Sequence, residues 1–237
     1  QTDVKLGTGA DFITNTAGTS NLRLGVNAGN LIESGGNFNV VVGDEAGTGI
    51  TTGDDNVFVG YKAGEATNTG ILNTVIGANA GLALTSANTN VAVGAEALQL
   101  CQQGDKNTAV GYRALREVNP SGNADGFNVG IGFEAGANIN TGVMNVLIGG
   151  LAGDVMTTGS SNVGIGQDAI GGAIVTGANN TSVGTASGFV LTSGANNIFI
   201  GHDAGRQGSP GGGITSGSNA IVLGDENIGD AHIQVDW

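Results

Sequence analysis

The sequence predicts an all-β fold, a glycine-rich β-solenoid or parallel β-roll built from coils of about seventeen residues. Three observations predict it: a phrase that recurs at nearly constant spacing, a two-residue alternation inside each phrase, and an unusual composition. The 237 residues include 46 glycines, two prolines, one cysteine and 4% aromatics. Collagen needs Gly at every third position with abundant Pro, so this is not collagen. With 39% hydrophobic and 11% charged residues the chain carries enough apolar surface to fold. Its core must be thin and made of small side chains.

The phrase reads Asn, two variable residues, a branched aliphatic, Gly, two variable residues, Ala and usually Gly, as in Asn56-Val-Phe-Val-Gly60-Tyr-Lys-Ala-Gly64 and Asn145-Val-Leu-Ile-Gly149-Gly-Leu-Ala-Gly153. Its anchor glycines are Gly25, Gly43, Gly60, Gly77, Gly94, Gly111, Gly132, Gly149, Gly166, Gly184 and Gly201, with Gly7 and Gly224 as looser members. Spacings are 17 or 18 except for 21 before Gly132 and 23 before Gly224. A fixed period of this length is the mark of a solenoid.

Each part of the phrase has a structural reading. Before the anchor stand Val40 and Val42, Val57 and Val59, Val129 and Ile131, and their equivalents. This alternation predicts a short strand with these aliphatics on its buried face and the residue between them, which varies from Arg23 to Phe58 to Gly164, on a face of mixed surroundings. Alanine three residues past the anchor predicts close backbone approach. An apolar residue further on (Ile32, Ile50, Leu84, Cys101, Val118, Ile139, Met156, Leu191) predicts a second, weaker strand closed by Ser/Thr-Gly turns. A coil cannot bury its apolar edge alone, so coils stack at about 4.8 Å, and lateral association covers what remains. The repeats span 1–218 and a terminating segment spans 219–237.

The tandem phrase resembles the head repeats of trimeric autotransporter adhesins and the related left-handed β-rolls of bacteriophage tail fibres. Asn219-Ala-Ile-Val-Leu-Gly224 through Trp237 resembles the segment that precedes the self-cleaving intramolecular chaperone of tail fibres and tailspikes. The resemblance implies a parallel homotrimer in the virion, with other tail proteins and a host-surface polysaccharide or protein receptor as partners. A bacterial surface adhesin head is the nearest alternative, and a tailspike depolymerase is the alternative from the enzyme class.

Twenty acidic against seven basic residues, a net charge of −13, argue against nucleic acid and anionic membranes as partners. No apolar run is long enough for membrane insertion as a helix. Catalytic groups are not expected: His202 and His232 have no companion at ligand or triad spacing, and Cys101 fills an aliphatic slot. No cofactor is expected, beyond weak Ca²⁺ binding at the acidic turns Asp44-Glu45, Asp54-Asp55 and Asp225-Glu226. The ladder Glu45, Lys62, Glu96, Arg113, Glu134 reads as charge compensation between stacked coils. A hydroxyl ladder including Thr52, Thr69, Thr158 and Ser193 suggests an ice-binding face, though turn geometry explains it more simply.

Candidate receptor or glycan contacts fall in two groups. Tyr61, Tyr112 and Phe133 follow anchor glycines and form an intermittent aromatic stripe, with His202 in the same slot. The two lengthened units hold both prolines and predict exposed loops, with Asn123, Asp125 and Phe127 in one and Gln207 and Ser209 in the other.

Overall fold

A computed structural model describes residues 17–120, 124–209, 211–225 and 227–228. Twelve three-residue strands follow in chain order: β1 (Leu22–Leu24), β2 (Val40–Val42), β3 (Val57–Val59), β4 (Thr74–Ile76), β5 (Val91–Val93), β6 (Thr108–Val110), β7 (Val129–Ile131), β8 (Val146–Ile148), β9 (Val163–Ile165), β10 (Thr181–Val183), β11 (Ile198–Ile200) and β12 (Ile221–Leu223). They form one sheet in which each strand pairs in parallel with the next, β1 to β12, without a crossover. Register follows the repeat: Val57 faces Thr74 and Phe58 faces Val75, residue for residue. One phrase is therefore one coil of a β-solenoid, and twelve strands span roughly 50 Å at the parallel-strand spacing. Strand β12 extends the stack into the segment read as terminating.

The anchor glycine makes the period possible. Gly94 has φ 132°, in the glycine-favouring region, and a Cβ built on it would lie 2.4 Å from the carbonyl oxygen of Gly111 in the next coil. Neither the torsion nor the space admits a side chain.

Two expectations are corrected. The second strand does not form. Its apolar residues do enter the core, with Ile50, Leu84, Cys101, Val118, Ile139, Met156 and Leu191 fully buried. The chain around them is a run of turns closed by local bonds such as Ile50 N–H to Gly47 C=O, with single coil-to-coil bonds such as Thr51 N–H to Asn68 C=O. Left-handed residues at Glu45, Lys62 and their equivalents keep that side from lying flat.

The second correction concerns the faces of the strand. The variable middle residue points inward: Val41, Phe58, Val75, Ala92, Ala109, Leu147, Ser182 and Phe199 are fully buried. The regular aliphatics on either side point outward and are half-buried or exposed, with Ile76, Ile131 and Ile165 each between 37% and 39% exposed. Parallel sheets ordinarily have both faces covered, and here one is bare.

Inside, volume is traded between two columns. Where the middle residue is large (Val41, Phe58, Val75, Leu147, Phe199), the position four past the anchor is glycine (Gly47, Gly64, Gly81, Gly153, Gly205). Coils with Ala92, Ala109 or Gly164 in the middle carry Leu98, Leu115 or Ile170 there instead, all fully buried. These three hold φ between 48° and 55°, a conformation that costs a non-glycine residue about 1 kcal/mol or more. Filling the core outweighs that strain. The reverse limit also holds, since a Cβ on Gly64 would lie 2.6 Å from the Phe58 ring.

A buried asparagine ladder runs beside this core. Asn39, Asn56, Asn73, Asn90, Asn107, Asn128, Asn145, Asn162, Asn180 and Asn197 are all fully buried. Each occupies the position before its strand, and the Asn-to-Asn bonding repeats from coil to coil. The Asn90 amide donates to Asn73 Oδ1 at 3.2 Å and to the Gly104 carbonyl at 2.9 Å. Its Oδ1 accepts from the backbone N–H and the side-chain amide of Asn107, at 2.9 and 3.2 Å. Donor and acceptor capacity of a buried amide is thereby used within the column.

Candidate functional site

The aromatic stripe lies on the bare side of the sheet. The residue after the anchor continues the outward alternation, so Tyr61, Tyr112 and Phe133 are 51%, 38% and 53% exposed. Tyr112 and Phe133, on adjacent coils, stack with centroids 5.4 Å apart and planes at 27°. Arg113 sits over the Tyr112 ring at 4.9 Å, and Lys62 lies 5.7 Å from the Tyr61 ring. One coil further stands Gly150, whose Cβ position has no atom within 4 Å. The stacked pair is thus an open shelf with a bare step beside it, suited to an apolar ring or the C–H face of a sugar. Tyr61 is separated from it by Ala78 and Ala95.

In the first lengthened unit, Phe127 is 49% exposed with the Lys106 ammonium 5.1 Å from its ring centroid, and Lys106 pairs with the exposed Asp125 at 2.7 Å. Phe127 and Phe133 flank the outward pair Val129 and Ile131 of β7, so one coil presents four apolar side chains in a row. Asn123 lies outside the described residues. The expectation of an exposed loop fails at Pro120, which is buried over Gly104.

In the second, Gln207 is exposed, but Ser209 is 5% exposed and its hydroxyl donates to the Asp203 carbonyl at 2.9 Å. Ser209 therefore closes the loop and is removed from the set of receptor contacts. His202 is exposed, with its Nδ1 3.6 Å from carboxylate oxygens of both Asp203 and Asp225. Bonds from Asn227, and then His202, hold the Asp225 carboxyl below the usual range.

The charged ladder is as expected. Lys62 Nζ lies 3.0 Å from Glu45, and Arg113 lies 2.7 Å from Glu96 and 3.5 Å from Glu134. Several acidic turns cap backbone in the coil before them: Asp44 Oδ1 accepts from Val26 N–H at 2.9 Å and Asp54 Oδ1 from Asn37 N–H at 2.6 Å. Among the described residues no cluster of three His, Cys, Asp or Glu is placed to hold a metal ion. Cys101 is buried, and desolvation pushes its thiol up to about 12, so it is inert at neutral pH.

One titratable group gave no signal in the sequence. Asp154, five past its anchor, has a buried Oδ1 with no hydrogen-bond partner, and burial, then Asp168 and Glu134, push its carboxyl up to about 6. The slot holds Thr48, Glu65, Gln99 and Arg116 in other coils, so residue type alone did not mark it. An unfolded Asp titrates near 3.9, so the folded chain binds the proton more tightly between there and 6. Stability therefore rises as pH falls through that window, and the penalty is full above it. Asp154→Asn is expected to add about 1 kcal/mol at pH 7.5, after allowance for solvent screening, and to flatten stability between pH 4 and 6, as read by thermal melts.

Comparison with protein-family models, curated proteins and solved structures finds no match to this chain.

Proposed function

We propose that the chain is the shaft or tip of a bacteriophage tail fibre, a structural and host-attachment protein of the virion that assembles as a parallel homotrimer and binds a host-surface glycan. The phage assignment rests on the resemblance of the repeat and of the C-terminal segment. The observation that carries the assembly is the bare sheet face. Two columns of Leu, Val, Ile and Thr run along all twelve strands, joined near β7 by Phe127 and Phe133. So continuous an apolar surface is a hallmark of an interaction site. A surface ridged every 4.8 Å or so is matched along its whole length by another of the same period, which a second copy of this chain supplies.

Sedimentation equilibrium on the full chain tests this. Three chains of 23.2 kDa amount to about 70 kDa, the mass expected for the wild type. Ile76→Lys combined with Ile131→Lys places charge on the bare face and is expected to shift the mass to that of one chain with the β-type circular dichroism unchanged. A monodisperse wild-type monomer would contradict the trimer.

Attachment is supported by the Tyr112–Phe133 shelf, since stacked exposed aromatics suit the C–H faces of sugars. The depolymerase reading has one observation in its favour, the raised Asp154 carboxyl with Glu134 and Asp168 near it. Incubation with purified host polysaccharide and a reducing-end assay separates cleavage from binding.

A further inference from the structure

We infer that a groove on the flank away from the strands, bounded by Glu117 and Ile174, is a binding subsite for a short neutral oligosaccharide. The inference takes its ligand class from the attachment reading but uses none of the residues of the aromatic shelf.

The groove has a volume of about 390 Å³ and crosses four successive coils, with Asn138, Asn140, Val155, Thr157 and Thr158 between those ends. Two or three sugar units suit a site of this size. Its origin is a one-residue insertion. The coil from Gly166 to Gly184 has 18 residues, and Val175 takes the buried aliphatic place while Ile174 is pushed out to 65% exposure. This raises an apolar lip above Val155.

The insertion also alters the hydrogen bonding below it. Elsewhere in this column the threonine hydroxyl is spent on the next coil: Thr85 Oγ1 donates to the Gln102 carbonyl at 2.9 Å and Thr192 Oγ1 to the Thr215 carbonyl at 2.9 Å. Thr51 Oγ1 likewise donates to Asn68. Thr157 keeps its backbone bonds, N–H to the Val175 carbonyl at 3.2 Å and C=O from the Asn140 N–H at 2.9 Å, but its hydroxyl is not spent on the next coil. Among the described residues the hydroxyls of Thr157 and Thr158 and the amide of Asn140 have no side-chain partner. Asn138 is held in place by its amide, which donates to the Asp154 carbonyl at 2.6 Å, leaving its Oδ1 as an acceptor.

A lining that combines donors and acceptors with the two aliphatic side chains Val155 and Ile174 matches a sugar, which has hydroxyl edges and C–H faces. The net charge of −13 opposes an anionic saccharide.

The test uses the full chain on an array of neutral and acidic oligosaccharides of two to six sugars. The variants are Asn140→Ala with Thr157→Ala, Ile174→Asp, and Tyr112→Ala with Phe133→Ala. Ile174 is exposed enough for its replacement to leave the fold intact, as circular dichroism would verify. Neutral oligosaccharides are expected to be retained by the wild type and bound at least tenfold more weakly by both groove variants. Capture of acidic sugars only, capture of no sugar, or equal capture by the groove variants would overturn the groove. Loss confined to the Tyr112/Phe133 variant would overturn it while supporting the shelf, and loss confined to the groove variants would do the opposite.

Discussion

Replacing Asn90 by Val is expected to cost about 3–5 kcal/mol, because one substitution orphans buried polar groups in two coils. The Asn107 backbone N–H loses its acceptor and the Asn107 amide one of its two, and the Gly104 carbonyl is left with only the weak Cys101 thiol as donor. Buried groups left unpaired in this way cost about 1–3 kcal/mol each. Asn90→Asp is the sharper variant. It keeps an acceptor for Asn107 but sets a carboxylate oxygen against Gly104 C=O and Asn73 Oδ1, where the wild type has an amide. The folded-state pKa of that Asp would lie well above the unfolded value of about 3.9. Its penalty is present at neutral pH and is lost as pH falls through the folded pKa, when the protonated acid donates again. Thermal melts at pH 4 and 7.5 should show Asn90→Asp approaching the wild type only at the lower pH. A loss under about 1 kcal/mol for Asn90→Val would mean the ladder is ornamental to the fold.

The second large effect is a swap inside the core. Phe58→Ala empties the largest buried side chain of its coil and is expected to cost about 3–5 kcal/mol. Gly64→Leu alone overfills the same space, since a Cβ there already meets the Phe58 ring, and is expected to cost about 1–3 kcal/mol plus the strain of a left-handed leucine. The two together recreate the arrangement of Ala92 with Leu98 and Ala109 with Leu115. The double variant is therefore expected to be more stable than Phe58→Ala. Denaturant titration of the four proteins in this cycle measures the coupling directly. Penalties that simply add would refute volume exchange between the two columns.

Much of this was legible in the sequence, and the failures have physical causes. Period, parallel stacking and charge pairing along Glu45, Lys62, Glu96, Arg113 and Glu134 follow from spacing alone, because stacked coils put equivalent residues side by side. The alternation predicts the strand with its two faces exchanged. Val and Ile are ordinarily the buried face of an alternation, but here the interior is so narrow that each coil fills it differently, and the variable residue is the internal one. Regularity instead marks the outward face, where every coil meets the same environment.

The role of the asparagines was hidden for a related reason. Asn beside Gly reads as turn chemistry, whereas recurrence at one slot in coil after coil signals a bonded column. Ser209 misled because a polar residue in a lengthened loop can close the loop as readily as face solvent. The groove by Ile174 left only an 18-residue coil as its trace, one of three such spacings among the anchors.

Continuous-wave EPR on pairs of nitroxide labels at outward positions tests the coil geometry most directly. Cysteines placed at Tyr61 and Ala78 are one coil apart, and at Tyr61 and Ala95 two coils apart, while buried Cys101 stays unlabelled in the folded chain. Strong spin–spin broadening is expected for the first pair and weaker broadening for the second, as separations of about 5 and 10 Å dictate. Equal, unbroadened spectra from both pairs, at label dilution that removes contributions between chains, would show that successive phrases do not stack and would contradict the solenoid.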